Sequence, residues 1–212
     1  MNYNLKRFKY YIFDFDGVIV DSVNIKTQAF KELYRPFGND IESLVAQHHL
    51  SHGGLSRFDK IAHYHQVFLN KKLSKDEIEA LASKFSSIVY EKVIKAKFIK
   101  GSLDFLKKLK SESKHLFIIS GTPEEEIRLI IMNRGLDVYF EEILGSPGSK
   151  NDNLVYLIKK FGINPSLALY FGDSQEDQKA ACFSEIDFVP INYFEKSTGF
   201  KNFKEFLKVC KI

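Results

Sequence analysis

Several features that would point to other classes of protein are scarce in this chain. It has no tryptophan and two cysteines, Cys182 and Cys210. Two cysteines without metal-type spacing provide neither a disulfide framework nor a zinc site, so we expect ordinary core or surface thiols. Lysine is spread along the chain without a basic block, and the net charge is only +4. That distribution disfavours a nucleic-acid partner.

Long apolar runs are also missing. No run approaches the roughly 20 residues that a helix needs to cross a bilayer. Basic residues between Lys6 and Lys9 precede the first apolar stretch, but Asp14 and Asp16 interrupt that stretch, which is untypical of a signal peptide. We therefore expect no membrane partner and a cytoplasmic location.

The composition that is present describes a globular protein. The hydrophobic share of 44% and charged share of 27% are those of a folded chain, and 212 residues suffice for one large or two small domains. Twenty phenylalanines and ten tyrosines offer enough aromatic area for a core without tryptophan.

Two aspartates follow the first predicted strand. The run from Tyr10 to Phe13 is aromatic and β-branched, which is typical of a buried strand. Because side chains two positions apart point to the same side of a strand, Asp14 and Asp16 should project together from its carboxyl end. Ligands of open α/β sheets bind at that end, and paired carboxylates there favour a cation or a shared proton. An acidic turn after a strand is the alternative interpretation.

The pattern then changes twice along the chain. From Ile25 onward apolar residues recur at helical spacing, and Ser74–Glu77 forms a capping box, so residues 20–95 are predicted to be all-helical. After Gly101, helices alternate with predicted strands at 115–120, 139–144, 167–171 and 188–191. Alternation of this kind predicts an α/β fold with a doubly wound parallel sheet. Thr122 is expected to be a helix N-cap, with Pro123 at the first helical position.

Polar residues follow each of the later predicted strands. Ser120 and Gly121 end the second strand before a helix N-terminus, Lys150 follows the third, and Asp173 follows the fourth, with Asp177 nearby. We expect them to converge on one crevice with Asp14 and Asp16, since the strands are parallel. Carboxylates, a hydroxyl, a lysine and free helical N–H groups together suit phosphoryl transfer, with Mg²⁺ as the hard cation. For Asp177, capping the helix and reaching the metal are equal alternatives.

These motifs, in this order, resemble those of the haloacid dehalogenase-like (HAD) hydrolase superfamily. The resemblance rests on Asp14–Ser22, Ser120, Lys150 and Gly172–Asp177, and it covers nearly the whole chain. It implies a Rossmann-like core formed by residues 1–19 and 96–212, with residues 20–95 as an inserted helical cap. The branch it resembles contains phosphoglycolate phosphatases and β-phosphoglucomutases.

The resemblance also implies roles for the individual residues. Asp14 would be the nucleophile and Asp16 the general acid and base, while Ser120, Gly121 and Lys150 would bind the phosphoryl group. Mg²⁺ would be held by the Asp14 carboxylate, the Asp16 carbonyl and Asp173, with Asp177 as a further candidate. Retention of the second aspartate disfavours dehalogenation.

The predicted cap contains a loop that resembles the specificity loop of β-phosphoglucomutase. Gly54, Ser56 and Arg57 of this loop are candidate substrate contacts, Arg57 as a bidentate partner of an anion or, alternatively, as a cap of a helix surface. Lys26 stands where the mutase pattern has a histidine, which favours hydrolysis over transfer. Five histidines lie in the same region but lack zinc-type spacing: His48, His49, His52, His63 and His65.

The sequence therefore predicts a Mg²⁺-dependent phosphatase for a small phosphorylated metabolite, such as a sugar phosphate or phosphoglycolate. Its expected intermediate is an aspartyl-phosphate, and its expected state is a monomer or homodimer. A phosphomutase is the alternative within enzymes. A non-enzymatic signalling module that accepts a phosphoryl group on aspartate is the alternative outside them.

Overall fold

The computed structural model describes residues 3–192 and 199–211. Its strands within these ranges are β1 (Tyr3–Asn4), β2 (Tyr10–Phe13), β3 (His115–Pro123), β4 (Glu142–Ser146), β5 (Ala168–Gly172), β6 (Asp187–Pro190) and β7 (Cys210–Lys211). Its α-helices there are α1 (Val23–Tyr34), α2 (Asn39–Ser51), α3 (Arg57–His63), α4 (Lys75–Ile94), α5 (Ser102–Ser111), α6 (Glu124–Asn133), α7 (Lys150–Phe161), α8 (Gln175–Phe183) and α9 (Phe203–Lys208).

The main sheet has five parallel strands in the order β4-β3-β2-β5-β6. Strand β2 lies at its centre, where Phe13 is in register with Ile118 of β3 and Phe171 of β5. Helices connect successive strands, as parallel pairing requires, and cover the sheet. This architecture confirms the predicted α/β fold with a parallel, doubly wound sheet. The carboxyl ends of β2, β3 and β5 consequently meet at one edge.

Side chains of β2 alternate between two hydrophobic layers. Tyr11 and Phe13 enter one layer, and Ile12 enters the other. The Phe13 ring stacks on Phe171 with 5.0 Å between ring centroids, and Phe105 packs edge-on against both. Phenylalanine thus forms the centre of this core, with no tryptophan in the chain.

Helices α1 to α4 lie between β2 and β3 in the chain and pack around their own aromatic cluster. The Phe30 ring lies 4.2 Å from that of Phe85 and 5.6 Å from that of Tyr64, measured between centroids. The two ends of this helical segment lie side by side, because the Ile99 amide donates to the Ile19 carbonyl and the Asp21 amide to the Lys97 carbonyl. That arrangement supports the division into a core (1–19 and 96–212) and a cap (20–95), which we keep as a proposal.

Some predicted boundaries differ from the structure. The strand predicted at 139–144 lies at Glu142–Ser146, because Asp137–Tyr139 forms a short 3-10 turn. Strand β3 continues to Pro123, so α6 begins at Glu124 with Pro123, not Thr122, in the N-cap position. The predicted threonine cap is therefore wrong. In the described part of the chain, every helix is too short or too polar to cross a bilayer.

Candidate active site

Asp14 occupies the position directly after β2, at the centre of the sheet edge. Its amide donates to the Phe171 carbonyl at 2.9 Å, which extends the pairing with β5 by one residue. The side chain is 4% exposed, and its Oδ2 accepts a hydrogen bond from Lys150 Nζ at 2.8 Å. Burial raises the pKa of Asp14 to about 7, with Lys150 opposing the effect and Asp177 and Asp16 adding to it. Asp14 is thus a buried carboxyl group with one lysine beside it.

Lys150 joins two of the predicted aspartates. Ser149 caps α7, its Oγ accepting from the Asp152 amide at 3.1 Å, and this cap places Lys150 at the first helical position. Lys150 Nζ also donates to Asp177 Oδ1 at 2.5 Å. Burial lowers the pKa of Lys150, but Asp14 and Asp177 outweigh it and raise the pKa overall. Lys150 therefore stays charged between two carboxylates.

Asp177 performs the capping role that the sequence suggested. It forms a capping box with Ser174, whose amide and hydroxyl donate to Asp177 Oδ2. Its other oxygen, Oδ1, accepts from Lys150 and from the Tyr170 hydroxyl, the latter at 2.7 Å. Four donors match the number of acceptor positions of a carboxylate. The contacts therefore support a role for Asp177 in holding Lys150 rather than in ligating a cation directly.

Three carboxylates form a compact acidic cluster at this edge. One oxygen each of Asp14, Asp173 and Asp177 lies within 4.8 Å of the others. Burial, followed by the charges of Asp14 and Asp177, raises the pKa of Asp173 well above its usual range. Like charges this close favour a bound cation, and the carboxylates of Asp14 and Asp173 offer the oxygen donors that Mg²⁺ prefers. The residues present therefore fit a magnesium ion.

The turn after β2 allows Asp173 to approach Asp14. Gly17 has a φ of +76°, and a Cβ at this position would lie 2.1 Å from Asp173 Oδ2. Any side chain there would be strained and would displace the carboxylate. Gly17 is thus required at this position, because any other residue would displace Asp173 from the acidic cluster.

The side chain of Asp16 has a separate set of hydrogen-bond donors. Its Oδ1 accepts from Ser22 Oγ at 2.6 Å, and its Oδ2 accepts from Lys26 Nζ and from Thr122 Oγ1, the latter at 3.1 Å. Burial raises the pKa of Asp16, but the Lys26 ammonium and these hydrogen bonds outweigh burial and lower it overall. The two aspartates of the first motif therefore have opposite pKa shifts, although one residue separates them.

Sequence reasoning misses the contacts of Thr122 and Lys26 with Asp16. It assigns Thr122 to a helix cap, but the threonine hydroxyl lies between Asp16 and Lys26, 2.7 Å from Lys26 Nζ. It singles out Lys26 only as a departure from the mutase pattern. No local pattern connects these positions, since Thr122 and Asp16 are 106 residues apart.

Ser120 and Gly121 lie beside Asp14, beneath the predicted cap. Ser120 is 1% exposed, and its Oγ accepts from the Thr122 amide at 3.1 Å. A Cβ on Gly121 would approach the Gly54 carbonyl to 2.9 Å. Ser120 and Lys150 line one pocket, Asp14 lines a second, and Gly121 lines both. The candidate phosphoryl-binding residues thus lie together.

The predicted specificity loop presses against the core. The Gly54 amide donates to Glu176 Oε2 at 3.2 Å, and a Cβ on Gly54 would lie 2.6 Å from Ser174 Oγ. Ser56 caps α3 by accepting from the Asp59 amide at 3.2 Å. Gly54 and Ser56 also line the pocket that contains Ser120. The loop therefore closes the crevice from the cap side.

Arg57 makes a contact that neither of the two sequence interpretations included. It is 4% exposed, and its guanidinium donates two hydrogen bonds to Glu126 of α6, at 2.7 and 2.6 Å. It also donates to Ser86 and lies over the Phe85 ring, 4.9 Å from the centroid. Burial raises the pKa of Glu126, but Arg57 outweighs burial and lowers it. Arg57 thus lines the pocket while forming an ion pair between cap and core.

The cap histidines stack on one another. The His48 ring lies 4.1 Å from the His52 ring and 4.3 Å from the His63 ring, measured between centroids. Stacked rings do not direct their nitrogens at a common point. Across residues 3–192 and 199–211, the group whose ligand atoms converge is the aspartate cluster.

Comparison with known proteins identifies the family to which this geometry belongs. Residues 11–191 match the profile of the haloacid dehalogenase-like hydrolases. The chain belongs to the haloacid dehalogenase-like hydrolase family. The predicted resemblance and the predicted enzyme class, a phosphatase of the HAD type, are thereby confirmed.

Two curated relatives extend over most of the chain. "Phosphoglycolate phosphatase 1" of Pseudomonas aeruginosa is 26% identical over 86% of this chain and 68% of its own length. "Phosphoglycolate phosphatase" of Pasteurella multocida is 25% identical, over 89% and 88% respectively.

Solved structures share the fold. A crystal structure described as a predicted phosphoglycolate phosphatase from Haemophilus somnus has a TM-score of 0.73 at 23% identity and covers 96% of this chain and 98% of its own. A β-phosphoglucomutase from Clostridium difficile also has a TM-score of 0.73, at 19% identity, covering 93% and 88%. At such identities the likeness concerns the fold alone.

Proposed function

We propose that this HAD hydrolase is a Mg²⁺-dependent phosphatase that hydrolyses a small phosphorylated metabolite of the phosphoglycolate or sugar phosphate type. The observation that carries the proposal is the separation of Asp14 and Asp16 into two environments. Asp14 lies in the acidic cluster beside Lys150, whereas Asp16 accepts from a separate set of donors, Ser22, Lys26 and Thr122. Two carboxyl groups with divergent environments suit two different roles in catalysis.

In the first step of the proposed reaction, an Asp14 oxygen attacks the phosphorus atom and forms an aspartyl-phosphate. The bond from phosphorus to the leaving oxygen breaks, and the carboxyl group of Asp16 supplies the proton that this oxygen takes up. Lys150, the Ser120 hydroxyl and the Gly121 amide donate hydrogen bonds to the phosphoryl oxygens, which offsets their charge.

In the second step, Asp16 accepts a proton from a water molecule that attacks the phosphorus of the aspartyl-phosphate. Inorganic phosphate leaves, and the Asp14 carboxylate is restored. Asp16 is ionised at this point because it gave up its proton in the first step, and the ion pair with Lys26 stabilises that form until the proton from water restores the acid.

The proposed magnesium ion would be held by the carboxylates of Asp14 and Asp173 and by the carbonyl of Asp16. When bound, Mg²⁺ neutralises charge on the phosphoryl group and on the acidic cluster. Asp177 would act through Lys150, since its acceptor positions are already occupied.

The proposed substrate class follows from the curated relatives named phosphoglycolate phosphatases. The test is phosphate release from a panel of phosphorylated metabolites that includes 2-phosphoglycolate, with Mg²⁺ and with EDTA. We expect release that requires the metal. Conversion of glucose 1-phosphate to the 6-phosphate without phosphate release would identify a mutase instead. A stable aspartyl-phosphate without turnover would identify a signalling module.

A further inference from the structure

Lys60 is a buried cation that faces the active-site pocket from the cap. It is 2% exposed and lines the pocket that also contains Asp14 and Asp16. Its Nζ donates to His49 Nδ1 at 3.0 Å and to the Gly53 carbonyl at 3.1 Å. An ammonium group has three N–H donors. Within the described parts of the chain, Lys60 forms no ion pair with a carboxylate, and its remaining contact is with the Phe30 ring, whose centroid lies 5.9 Å from Nζ.

His49 lies beside Lys60 and holds its ammonium group in place. It is 4% exposed, and its Nδ1 accepts from Lys60, so the proton of the neutral ring lies on Nε2. Burial and the Lys60 charge hold the pKa of His49 well below its usual range, so the ring stays neutral. A backbone hydrogen bond with Val23 opposes this shift, so His49 is held on both sides and fixes the position of Lys60.

The other two cations of the pocket are already neutralised. Lys26 pairs with Asp16, and Arg57 pairs with Glu126. Burial, with the charge of Lys26 next, lowers the pKa of Lys60 to about 7, which shows that its charge is poorly compensated. An anion brought next to Lys60 would compensate that charge.

We propose that Lys60, held in place by His49, forms an anion subsite that binds a carboxylate on the leaving-group side of the substrate. The proposal rests on the proposed function, because it places this carboxylate on the molecule whose phosphoryl group meets Asp14. The aromatic rings of Phe30 and Phe85 line the same pocket. They restrict the room beside the subsite and favour a short leaving group.

The first experiment compares two substrates of equal carbon number, 2-phosphoglycolate and ethyl phosphate, with the wild-type protein and with Lys60→Met and Lys60→Gln. Loss of a charged hydrogen bond is expected to lower kcat/KM for 2-phosphoglycolate by about 10- to 100-fold. For ethyl phosphate, which has no carboxylate, the change should stay within about 3-fold. Lys72→Met, at an exposed cap lysine, is the matched control and should leave both values unchanged.

Lys60→Met and Lys60→Gln together show whether Lys60 binds the carboxylate of the substrate or only supports the loop at Gly53. Glutamine at position 60 retains a donor for the Gly53 carbonyl but has no charge. An equal loss on both substrates, with either variant, would mean that Lys60 only supports the loop, and the proposal would be overturned. Retention of the wild-type preference by Lys60→Gln would overturn it as well. Thermal unfolding of each variant establishes that the protein compared is folded.

A binding experiment keeps the subsite distinguishable from the phosphatase activity. Calorimetry with Mg²⁺ compares phosphonoacetate, which carries a carboxylate, with ethylphosphonate, and neither compound is a phosphate ester. We expect phosphonoacetate to bind more tightly, and Lys60→Gln to remove that difference. This result would support the subsite even if no phosphate ester were hydrolysed. Equal binding of both compounds by the wild-type protein would overturn the subsite while leaving a phosphatase possible.

Discussion

The core side and the cap side of the active-site crevice balance charge in opposite ways. On the core side, Asp14, Asp173 and Asp177 lie close together, and among the described residues Lys150 forms ion pairs with two of them, Asp14 and Asp177, so carboxylates outnumber cations. On the cap side, Lys26 and Arg57 are paired with carboxylates of the core, and Lys60 is left without one among the described residues. A bound cation would balance the carboxylates of the core side, and a bound anion would balance Lys60 on the cap side. This contrast supports the proposal that the crevice binds a metal ion and an anionic substrate.

The largest effect is expected on the core side, from Asp14→Asn. The substitution removes the proposed nucleophile and should reduce kcat by about a thousand-fold or more. The fold should survive, because the change replaces a buried carboxylate with a neutral group of the same shape. Phosphate release and circular dichroism measure the two quantities. Near-normal hydrolysis by this variant would contradict the assignment of Asp14.

Lys150→Met tests whether the acidic side depends on its one cation. Asp14 and Asp177 would remain buried without a cationic partner, so the free energy of unfolding should fall by about 3–5 kcal/mol in the absence of metal. Denaturant unfolding measures it, and added Mg²⁺ should restore part of the loss. Lys159→Met, at an exposed lysine of the same helix, should change stability by less than about 0.5 kcal/mol. Equal stability of the two variants would show that Lys150 is not needed to balance this cluster.

On the cap side, we expect Lys60 to make the free energy of unfolding depend on pH. The folded-state pKa of Lys60, about 7, lies below its ordinary value of 10.5, so the unfolded chain binds more protons between these values. The free energy of unfolding therefore rises with pH in this window. Below pH 7, Lys60 is charged in both states, and the full cost of burying its charge reduces stability. From pH 7 to pH 9, the wild-type protein should gain roughly 2 kcal/mol relative to Lys60→Met. If the free energy of unfolding changed with pH in the same way for both proteins, burial would not lower the pKa of Lys60.

The smallest effect is expected from Glu126→Gln, which weakens the ion pair between cap and core. The introduced glutamine would still accept a hydrogen bond from Arg57 but would not neutralise it, so closure should weaken and KM should rise by about 3- to 10-fold. Glu125→Gln, at an exposed neighbour on α6, is the control and should leave KM unchanged. A KM that stays at the wild-type value for Glu126→Gln would show that this pair does not stabilise the closed crevice.

Local sequence predicted most helices and strands, and it predicted which residues of the core side converge at the edge of the sheet. The apolar run before Asp14 predicted the central strand, and helix capping was one of the two roles predicted for Asp177, because both signals lie within a few consecutive residues. The alternation of helices and strands predicted the parallel sheet, whose strands necessarily end on one edge. The convergence of Asp14, Lys150 and the acidic residues could therefore be expected from the chain alone.

Only the tertiary structure decided the partners of each charge. Asp14 meets Lys150 across 136 positions, Asp16 meets Thr122 across 106, and Arg57 meets Glu126 across 69. No periodicity extends over such separations, so sequence reasoning assigns Thr122 to a cap and Arg57 to a substrate. Their contacts depend on how the cap segment packs against the core, and that packing is set by the whole hydrophobic surface rather than by any motif. The same packing buries Lys60 and His49 side by side, which neither residue's sequence neighbours indicate.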